Sequence, residues 1–312
     1  MKQYLDLLKD IQKNGVWKEP ARPGMPRTKE VFGRMMKFDL SQGFPLLTTK
    51  KMFTKGIVAE LLWFLRGETN IKFLVDNKCH IWDQDAYKYY KKLGGDYATL
   101  SLNDFVFEIE QGRMVQPFVD NGKTREAREY VLGDCGLIYG YQWRKFRGWF
   151  DQIKNLQLSI KNNPDSRYHI VTAWDPVSFL GNSNNAALPA CHMMFQCSVR
   201  DGYLDLIMTQ RSCDTFLGVP FNVASYALLL TLLCKQLGLK PGVFTWVGNS
   251  VHVYENHMSA IREQVSRKPY PLPHLVIEDR NQKELMDYVV SDFHFVEYIS
   301  HPAIKAELSV GV

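Results

Sequence analysis

The chain has 312 residues, of which 46% are hydrophobic and 23% charged, and this ordinary globular composition excludes a disordered or fibrous protein. No apolar run approaches the length of a membrane span, and the amphipathic N-terminus lacks a signal-peptide core, so we expect a cytoplasmic protein with no membrane partner. The formal net charge of +5 comes from dispersed basic residues, so it does not indicate DNA as a partner.

The first predicted elements are helices. The spacing of apolar residues predicts a helix over residues 2–13 and a buried helix from Gly56 to Leu65. The second helix carries Glu60 within an almost wholly apolar segment. A carboxylate is costly there unless it has a partner or a task, although a glutamate on a solvent-facing side of the helix would fit the same pattern.

The chain has no internal repeat and no linker long enough to divide it, so we expect one domain over residues 1–312. The apolar pattern weakens between Gly94 and Gly133, where polar and charged stretches predominate. We interpret this segment as a surface insertion and assign it no chemistry.

The second half of the chain alternates predicted strands with predicted helices. Asp201-Gly202 is a strong hairpin signal between two of the strands. The pattern predicts an α+β fold built on a substantial sheet. The strands are Tyr168–Trp174, Phe195–Val199 and Tyr203–Gln210, and the helices are Ala224–Leu237, Tyr254–Ser266 and Gln282–Val289.

The six cysteines show no C-x-x-C spacing and are too sparse for a disulfide framework or a zinc site, so we expect free thiols and no metal. One of them, Cys191, precedes His192 shortly before a predicted strand, and Arg211 lies at the end of the adjacent one. A cysteine is a nucleophile as its thiolate, which a nearby cation stabilises. A buried, inert cysteine is the commoner case for an isolated Cys-His pair.

A cysteine hydrolase is one interpretation of these residues. It would pair Cys191 with His252 or His257 and with an amide such as Asn222. The residues around Cys191 lack the local signatures of the major cysteine protease families, which disfavours this interpretation.

Several longer segments combine aromatic, polar and proline residues in distinctive runs. They are Phe44-Pro45-Leu46-Leu47-Thr48-Thr49-Lys50, Glu60-Leu61-Leu62-Trp63-Phe64-Leu65, Tyr139-Gly140-Tyr141-Gln142-Trp143-Arg144, Leu188-Pro189-Ala190-Cys191-His192, the block Gln210–Asn222, and His252-Val253-Tyr254. In sequence and in order they resemble the thymidylate synthase family, and the resemblance runs from Leu5 nearly to the C-terminus. It implies that family's fold, a single domain on a large mixed β-sheet, and a homodimer.

The resemblance also implies a mechanism. Cys191 matches the nucleophile that adds to C6 of deoxyuridylate (dUMP), whose C5 then takes one carbon from methylenetetrahydrofolate. Arg211 matches the arginine beside the thiol, and Glu60 matches the acid that manages proton transfers through water. Tyr139 matches a tyrosine that assists proton removal at C5, and Asn222 matches the amide that faces the pyrimidine ring. An acidic residue stands at this last position in related cytidylate enzymes, so Asn222 favours uracil.

Further residues match binding positions of the family. Arg167 matches an arginine that reaches the phosphate site of the partner subunit. The other implied nucleotide contacts are Arg22, Gln210, Arg211, Ser212, His252 and Tyr254, and the implied folate contacts are Trp82, Asp214, Gly218 and Val312. Asp214 belongs to the implied catalytic group as well. No metal is implied.

The chain departs from the family pattern at several places. Tyr168 stands where a second arginine is usual, Asp175 where an asparagine is usual, and Ser250 where an aspartate is common. The loop over residues 179–186 is longer by a few residues, and the tail extends the usual end by two. Some related phage enzymes share the longer loop and the serine.

Those phage enzymes let water rather than hydride complete the reaction, so a dUMP hydroxymethyltransferase is the alternative within the family. Trp82, Tyr139, Asn222 and the C-terminal Val312 favour hydride transfer, and therefore thymidylate synthesis. A noncatalytic nucleotide-binding homologue is a more distant alternative, which the presence of both Cys191 and Glu60 disfavours.

Overall fold

A computed structural model describes residues 1–20, 24–94, 98–113, 115–117, 129–180 and 185–307. Arg22 and Val312 lie outside these ranges, as do part of the segment from Gly94 to Gly133, part of the loop before Cys191 and the last five residues. The strands are β1 (Val16–Lys18), β2 (Thr28–Asp39), β3 (Val115–Pro117), β4 (Glu129–Val131), β5 (Ile170–Thr172), β6 (His192–Arg200), β7 (Tyr203–Asp214), β8 (Lys240–Tyr254), β9 (His274–Ile277) and β10 (Phe293–Val296).

The helices lie between these strands. They are α1 (Lys2–Asn14), α2 (Thr54–Leu65), α3 (Lys72–Asp76), α4 (Asp83–Gly94), α5 (Leu102–Glu110), α6 (Tyr139–Lys145), α7 (Gln152–Asn162), α8 (Pro176–Phe179), α9 (Gly218–Leu237) and α10 (Met258–Ser266). The two helices predicted in the N-terminal region are confirmed as α1 and α2.

A six-stranded sheet with the order β1-β2-β8-β7-β6-β5 organises the molecule. Its neighbouring strands are antiparallel except for β7 and β8, which are parallel and joined by α9. The predicted α+β class and the mixed sheet are therefore confirmed. This topology places the ends of β6, β7 and β8, where most of the candidate residues lie, next to one another.

Helix α9 packs against β7 and β8 and contributes much of the core. It is the one helix in the described part of the chain that is long and apolar enough to cross a membrane, but 72% of that stretch is buried within the structure. Burial against the sheet accounts for its composition, as expected for the core helix of a globular domain. It begins at Gly218, six residues before the predicted start at Ala224, so Asn222 lies on its first turns.

The hairpin prediction is confirmed, because β6 and β7 pair on either side of Asp201 and Gly202. Both turn residues have positive φ angles, 50° and 80°, which is the requirement of a tight turn that follows the twist of the strands. The pairing places Cys191, the residue before β6, opposite the end of β7. The backbone N–H of Arg211 donates to the carbonyl of Cys191 at 2.8 Å.

One element prediction is wrong, and two others are confirmed only in part, because α10 covers most of the helix predicted from Tyr254 and β5 covers part of the strand predicted from Tyr168. The helix predicted over Gln282–Val289 is replaced by two short 3-10 turns, Leu285–Asp287 and Val290–Asp292. Side-chain oxygens of Asp287 and Asp292 accept backbone N–H groups there, and such local bonds compete with an α-helix. Tyr254 ends β8 rather than starting a helix, and the strand predicted from Tyr168 is reduced to β5.

The described part of the predicted insertion includes helix α5, which is anchored to the protein rather than lying free on its surface. Phe105 and Ile109 on this helix are fully buried. The ring of Phe105 packs against Tyr87 and Tyr90, with ring centres 5.5 and 5.2 Å away. The Ser101 side chain accepts from the backbone N–H of Asp104 and so caps the start of the helix.

Candidate active site

Cys191 lies just before β6, and Arg211 holds the segment that leads to it. The guanidinium donates from Nε to the carbonyl of Ala190 at 2.8 Å and from Nη2 to the carbonyl of Pro189 at 2.9 Å. It also lies over the ring of Trp174, 5.4 Å from the ring centre. The cation is therefore fixed next to the thiol's own backbone, which is the environment that favours a thiolate. Cys191 is partly accessible, whereas the other five cysteines are buried.

Tyr139, the first residue of α6, contacts the same backbone from the other side. Its hydroxyl oxygen accepts the N–H of Cys191 at 2.7 Å. Burial raises the pKa of Tyr139 well above its ordinary value, and the nearby charges of Cys191 and Glu60 raise it further. The tyrosine therefore stays protonated and has a hydroxyl hydrogen to donate.

His192, although it follows Cys191 directly, is unsuited to act as a base. Its ring stacks on Tyr139 with centres 4.0 Å apart, and its Nδ1 forms a 2.9 Å hydrogen bond with the hydroxyl of Tyr226. Burial lowers the pKa of His192 to about 3, so the imidazole is neutral at physiological pH. Its role is therefore to pack the site.

Glu60 projects from the apolar helix α2 into the same region. One carboxylate oxygen accepts the indole N–H of Trp82 at 2.7 Å. Burial raises the pKa of Glu60 to about 7, and the hydrogen bond from Trp82 offsets part of that rise. A carboxyl group that titrates near neutral pH can both give and take a proton. Trp82 is therefore the hydrogen-bond partner that a carboxylate within an apolar segment requires.

A chain of hydrogen bonds fixes the orientation of Asn222. The indole N–H of Trp246 donates to Oε1 of Gln210 at 2.9 Å, and Nε2 of Gln210 donates to Oδ1 of Asn222 at 2.9 Å. Because the Asn222 oxygen already accepts from Gln210, its amide nitrogen is available to donate to a ligand. This arrangement suits a carbonyl group such as O4 of uracil.

The remaining strand residues form one row across β7 and β8. Ser212 is paired with Ser250, and Asp214 is paired with His252 in the parallel register. Nδ1 of His252 forms a 3.2 Å hydrogen bond with the carbonyl of Ser250, which can only accept, so this nitrogen carries the proton. The Tyr254 ring lies edge-on to that imidazole, with centres 5.4 Å apart.

The start of α9 adds the last members of the group. Gly218 lies between Asp214 and Asn222, and an added Cβ would meet them at ordinary contact distances of 3.6 and 3.8 Å. Oδ1 of Asp214 accepts the backbone N–H groups of Phe216 and Leu217 at 3.1 and 3.2 Å. The structure thus brings together the predicted residues of α2, α6, β7, α9 and β8.

Arg167 is exposed between α7 and β5. The adjacent Tyr168 is 85% exposed, although it is a large aromatic residue. The backbone carbonyl of Arg167 accepts from the Gln196 side chain at 3.0 Å, which fixes this part of the loop to β6. Arg167 therefore presents its side chain to the outside of the single chain.

Sequence reasoning missed Lys50, although it lies in one of the motifs quoted above. The lysine is 4% exposed, donates to the carbonyl of Phe216 at 2.6 Å and lies 3.9 Å from that residue's ring centre. Burial lowers the pKa of Lys50 to about 8, and the charge of Asp214 counters part of the effect. Little in the sequence signals its burial, because Lys50 stands between Thr49 and Lys51 rather than within an apolar segment like the one around Glu60.

These contacts place a thiol, a carboxyl group with a pKa raised to about 7 and a row of polar side chains on neighbouring elements, and this combination is typical of an enzyme active site. A family model described as thymidylate synthase matches residues 2–310. The chain belongs to the thymidylate synthase family of folate-dependent methyltransferases.

Similar proteins named thymidylate synthase occur in several bacteria. Those of Mycoplasma pneumoniae and Mycoplasma mobile are 42% and 43% identical, with 99% of this chain and 100% of each relative covered. That of Listeria monocytogenes is 42% identical with the same coverage. The family predicted from the motifs is therefore confirmed over the whole length of the chain.

Proposed function

We propose that this chain transfers one carbon from methylenetetrahydrofolate to C5 of dUMP through a covalent bond between Cys191 and C6, and that the product is thymidylate (dTMP). The observation that carries the proposal is the pair of hydrogen bonds from Arg211 to the Ala190 and Pro189 carbonyls beside the thiol. A fixed cation there supports the thiolate that the first bond requires. The thymidylate synthase name of the similar bacterial proteins supports the same reaction.

Proton transfers in this proposal fall to Glu60 and Tyr139. Attack of the Cys191 thiolate on C6 places negative charge on O4 and C5 of the ring. Glu60, with a pKa near 7, supplies a proton through water to the ring oxygen or to the departing folate nitrogen. The hydroxyl of Tyr139, fixed at the Cys191 backbone, orients the water that later removes the proton from C5.

Recognition of the base rests on Asn222. Its amide nitrogen donates to O4 of uracil, since its oxygen is oriented by Gln210. Cytosine presents an amino group at that position, and two donors would then face each other without a partner. Ser212, Arg22 and Arg211 bind the phosphate, and His252 and Tyr254 bind the 3′-hydroxyl of the deoxyribose.

The folate co-substrate fits the residues near the start of α9. Oδ1 of Asp214 accepts the backbone N–H groups of Phe216 and Leu217. Oδ2 has no hydrogen-bond partner in the described part of the chain. It can therefore accept from the pterin ring, next to Gly218, while Trp82 provides an aromatic wall. Bound there, methylenetetrahydrofolate supplies the one-carbon unit and the hydride. In this proposal the C-terminal Val312 helps to close the site over the bound folate.

The products test this function. Incubation of the protein with dUMP and methylenetetrahydrofolate should give dTMP and dihydrofolate in equal amounts, because hydride from the folate completes the methyl group. Mass spectrometry of the nucleotide and chromatography of the folate measure both products. A hydroxymethyl nucleotide formed without dihydrofolate would mean that water completes the reaction and would contradict the proposal. Activity on peptides or esters without folate would indicate a hydrolase.

The active protein in this proposal is a homodimer that buries the outer face of the sheet. An open groove on that face is lined by side chains of β2, β6, β7 and β8, and Ile207 at its centre is 39% exposed. Apolar residues that remain exposed across a central sheet are typical of a surface covered by a partner. The exposed Arg167 then reaches the phosphate site of the partner subunit. A cytoplasmic location, supported by the six free thiols, completes the proposal.

Subunit mixing tests the shared site. Arg167→Ala and Cys191→Ser homodimers should each be impaired, the first because each phosphate loses one cation. After the subunits are exchanged, half the dimers are mixed, and each mixed dimer has one complete site. About a quarter of all sites are then complete, so activity should recover to about a quarter of the parent value. Impairment by Arg167→Ala without recovery on mixing would show that Arg167 acts within its own chain.

A further inference from the structure

A buried carboxylate on β2 lies beside the proposed deoxyribose site. Glu30 pairs with His252 in the antiparallel register of β2 and β8, and its side chain is only 9% exposed. Both carboxylate oxygens are bound. Oε1 contacts the ammonium group of Lys18 on β1 at 2.5 Å, and Oε2 accepts the hydroxyl of Ser250 on β8 at 2.7 Å. These three residues are called the Glu30 network below.

The Glu30 network acts on the backbone that orients His252. Ser250 is held by its side chain to Glu30, and its carbonyl accepts the Nδ1–H of His252. This bond selects the tautomer in which Nε2 is unprotonated and can accept a hydrogen bond from a hydroxyl. A single residue, Ser250, therefore connects Glu30 to the imidazole of His252, which faces the sugar in the proposed function.

The charges around the imidazole are consistent with this role. Burial lowers the pKa of His252, whereas Asp214 on β7, the carbonyl of Ser250 and Glu30 on β2 raise it, and Lys18 on β1 lowers it. Burial alone would raise the pKa of Glu30, but the hydrogen bonds from Lys18 and Ser250 lower it below its ordinary value. Glu30 is therefore ionised at neutral pH.

We propose that Glu30 is a positioning residue for the nucleotide, which through Ser250 fixes the imidazole of His252 for the 3′-hydroxyl of the deoxyribose. The inference rests on the proposed function. It also explains why this chain carries Ser250 where the family commonly has an aspartate, because the carboxylate is supplied by the neighbouring strand instead. The motifs quoted in the sequence analysis include neither Glu30 nor Lys18.

A pair of nucleotides separates this role from a general structural one. Equilibrium binding by calorimetry compares dUMP with 2′,3′-dideoxyuridine monophosphate, which lacks the 3′-hydroxyl. The variants are Glu30→Ala, Ser250→Ala and the double variant, and Asp10→Asn is the control. Asp10 also pairs with a cation of β2, Arg34, at 2.6 Å, but on a part of the strand away from His252.

We expect Glu30→Ala and Ser250→Ala each to weaken dUMP binding about tenfold, equivalent to about 1.4 kcal/mol, and to leave binding of the dideoxy nucleotide within about twofold. The double variant should be no worse than either single variant, since both remove the same connection. KM for dUMP should rise while kcat changes little. Ser250→Thr, which retains the hydroxyl, should bind dUMP as the parent does, and Asp10→Asn should bind both nucleotides normally.

Equal weakening of both nucleotides, or none, would overturn the inference, as would a kcat effect without a KM effect. If Glu30→Ala does not fold, Ser250→Ala alone decides, because it removes the hydroxyl and leaves the Lys18–Glu30 pair in place. Failure of the proposed function is distinguishable from failure of this inference. In the first case the parent protein does not bind dUMP, and in the second the parent binds dUMP and the variants bind it equally well.

Discussion

Replacing Cys191 with serine should reduce turnover by at least about a thousandfold, because a neutral hydroxyl cannot replace the thiolate as a nucleophile. Arg211 would still fix the backbone through Ala190 and Pro189, so dUMP binding should change little. The parent should form a folate-dependent covalent complex with 5-fluoro-dUMP that survives denaturation, and the variant should form none. Steady-state kinetics and intact-protein mass spectrometry measure the two effects.

Cys213 provides the matched control. It lies two residues beyond Arg211, is fully buried and has its thiol directed to the carbonyl of Gln210 at 3.4 Å. Burial raises the pKa of Cys213, so it is not a thiolate at neutral pH. Cys213→Ser keeps a donor to the same carbonyl and should retain activity within a few-fold. Normal turnover by Cys191→Ser, or loss of the complex in Cys213→Ser, would contradict the covalent role of Cys191.

Glu60→Gln should lower kcat by about a hundredfold or more, the usual contribution of a positioned acid or base. The amide can still accept the Trp82 indole hydrogen bond, so the packing of α2 is preserved. The pH profile of the parent's kcat should change slope near pH 7, where Glu60 titrates. The variant should lack this change of slope. Pre-steady-state kinetics over a range of pH would measure both changes.

The same substitution should stabilise the folded protein. Burial raises the pKa of Glu60 from 4.5 to about 7, so the folded state favours the neutral acid and the parent loses stability as pH rises through this window. Gln stays neutral, so the melting temperature of Glu60→Gln should exceed that of the parent by a margin that grows from pH 5 to pH 8. The control is Glu68→Gln, because burial also raises the pKa of Glu68 but no catalytic role is proposed for it. Full activity in Glu60→Gln would contradict the proton-transfer role.

The candidate site was predicted from motifs, whereas the elements of the fold were predicted from residue spacing, which is a weaker signal at element boundaries. Glu60 stood out because its carboxylate conflicts with the apolar segment around it, whereas the roles of Cys191 and Asn222 were predicted from the family motifs that contain them. The segment Gln282–Val289 was misassigned because the side chains of Asp287 and Asp292 bind local backbone N–H groups, and helical spacing does not reveal such bonds.

The supporting contacts could not be predicted, because they join residues that are far apart in the chain. Trp246 reaches Gln210 from another strand, and Glu30 meets Ser250 across a sheet whose register the sequence does not specify. The same holds for the environment of His192, the residue that follows Cys191. Its burial between Tyr139 and Tyr226, and therefore its low pKa, depends on three separate segments.

The pairing of β2 with β8 also governs when the protein can become active during its synthesis. Thr28 pairs with Tyr254, and the hydroxyl of Tyr4 on α1 donates to the carbonyl of Thr215, so the N-terminal elements depend on partners made late. Contacts between such distant segments slow folding and leave β2 as an open edge on the ribosome. Fragments that end before β8 should therefore be prone to aggregation, and nascent chains should acquire nucleotide affinity only once β8 has emerged.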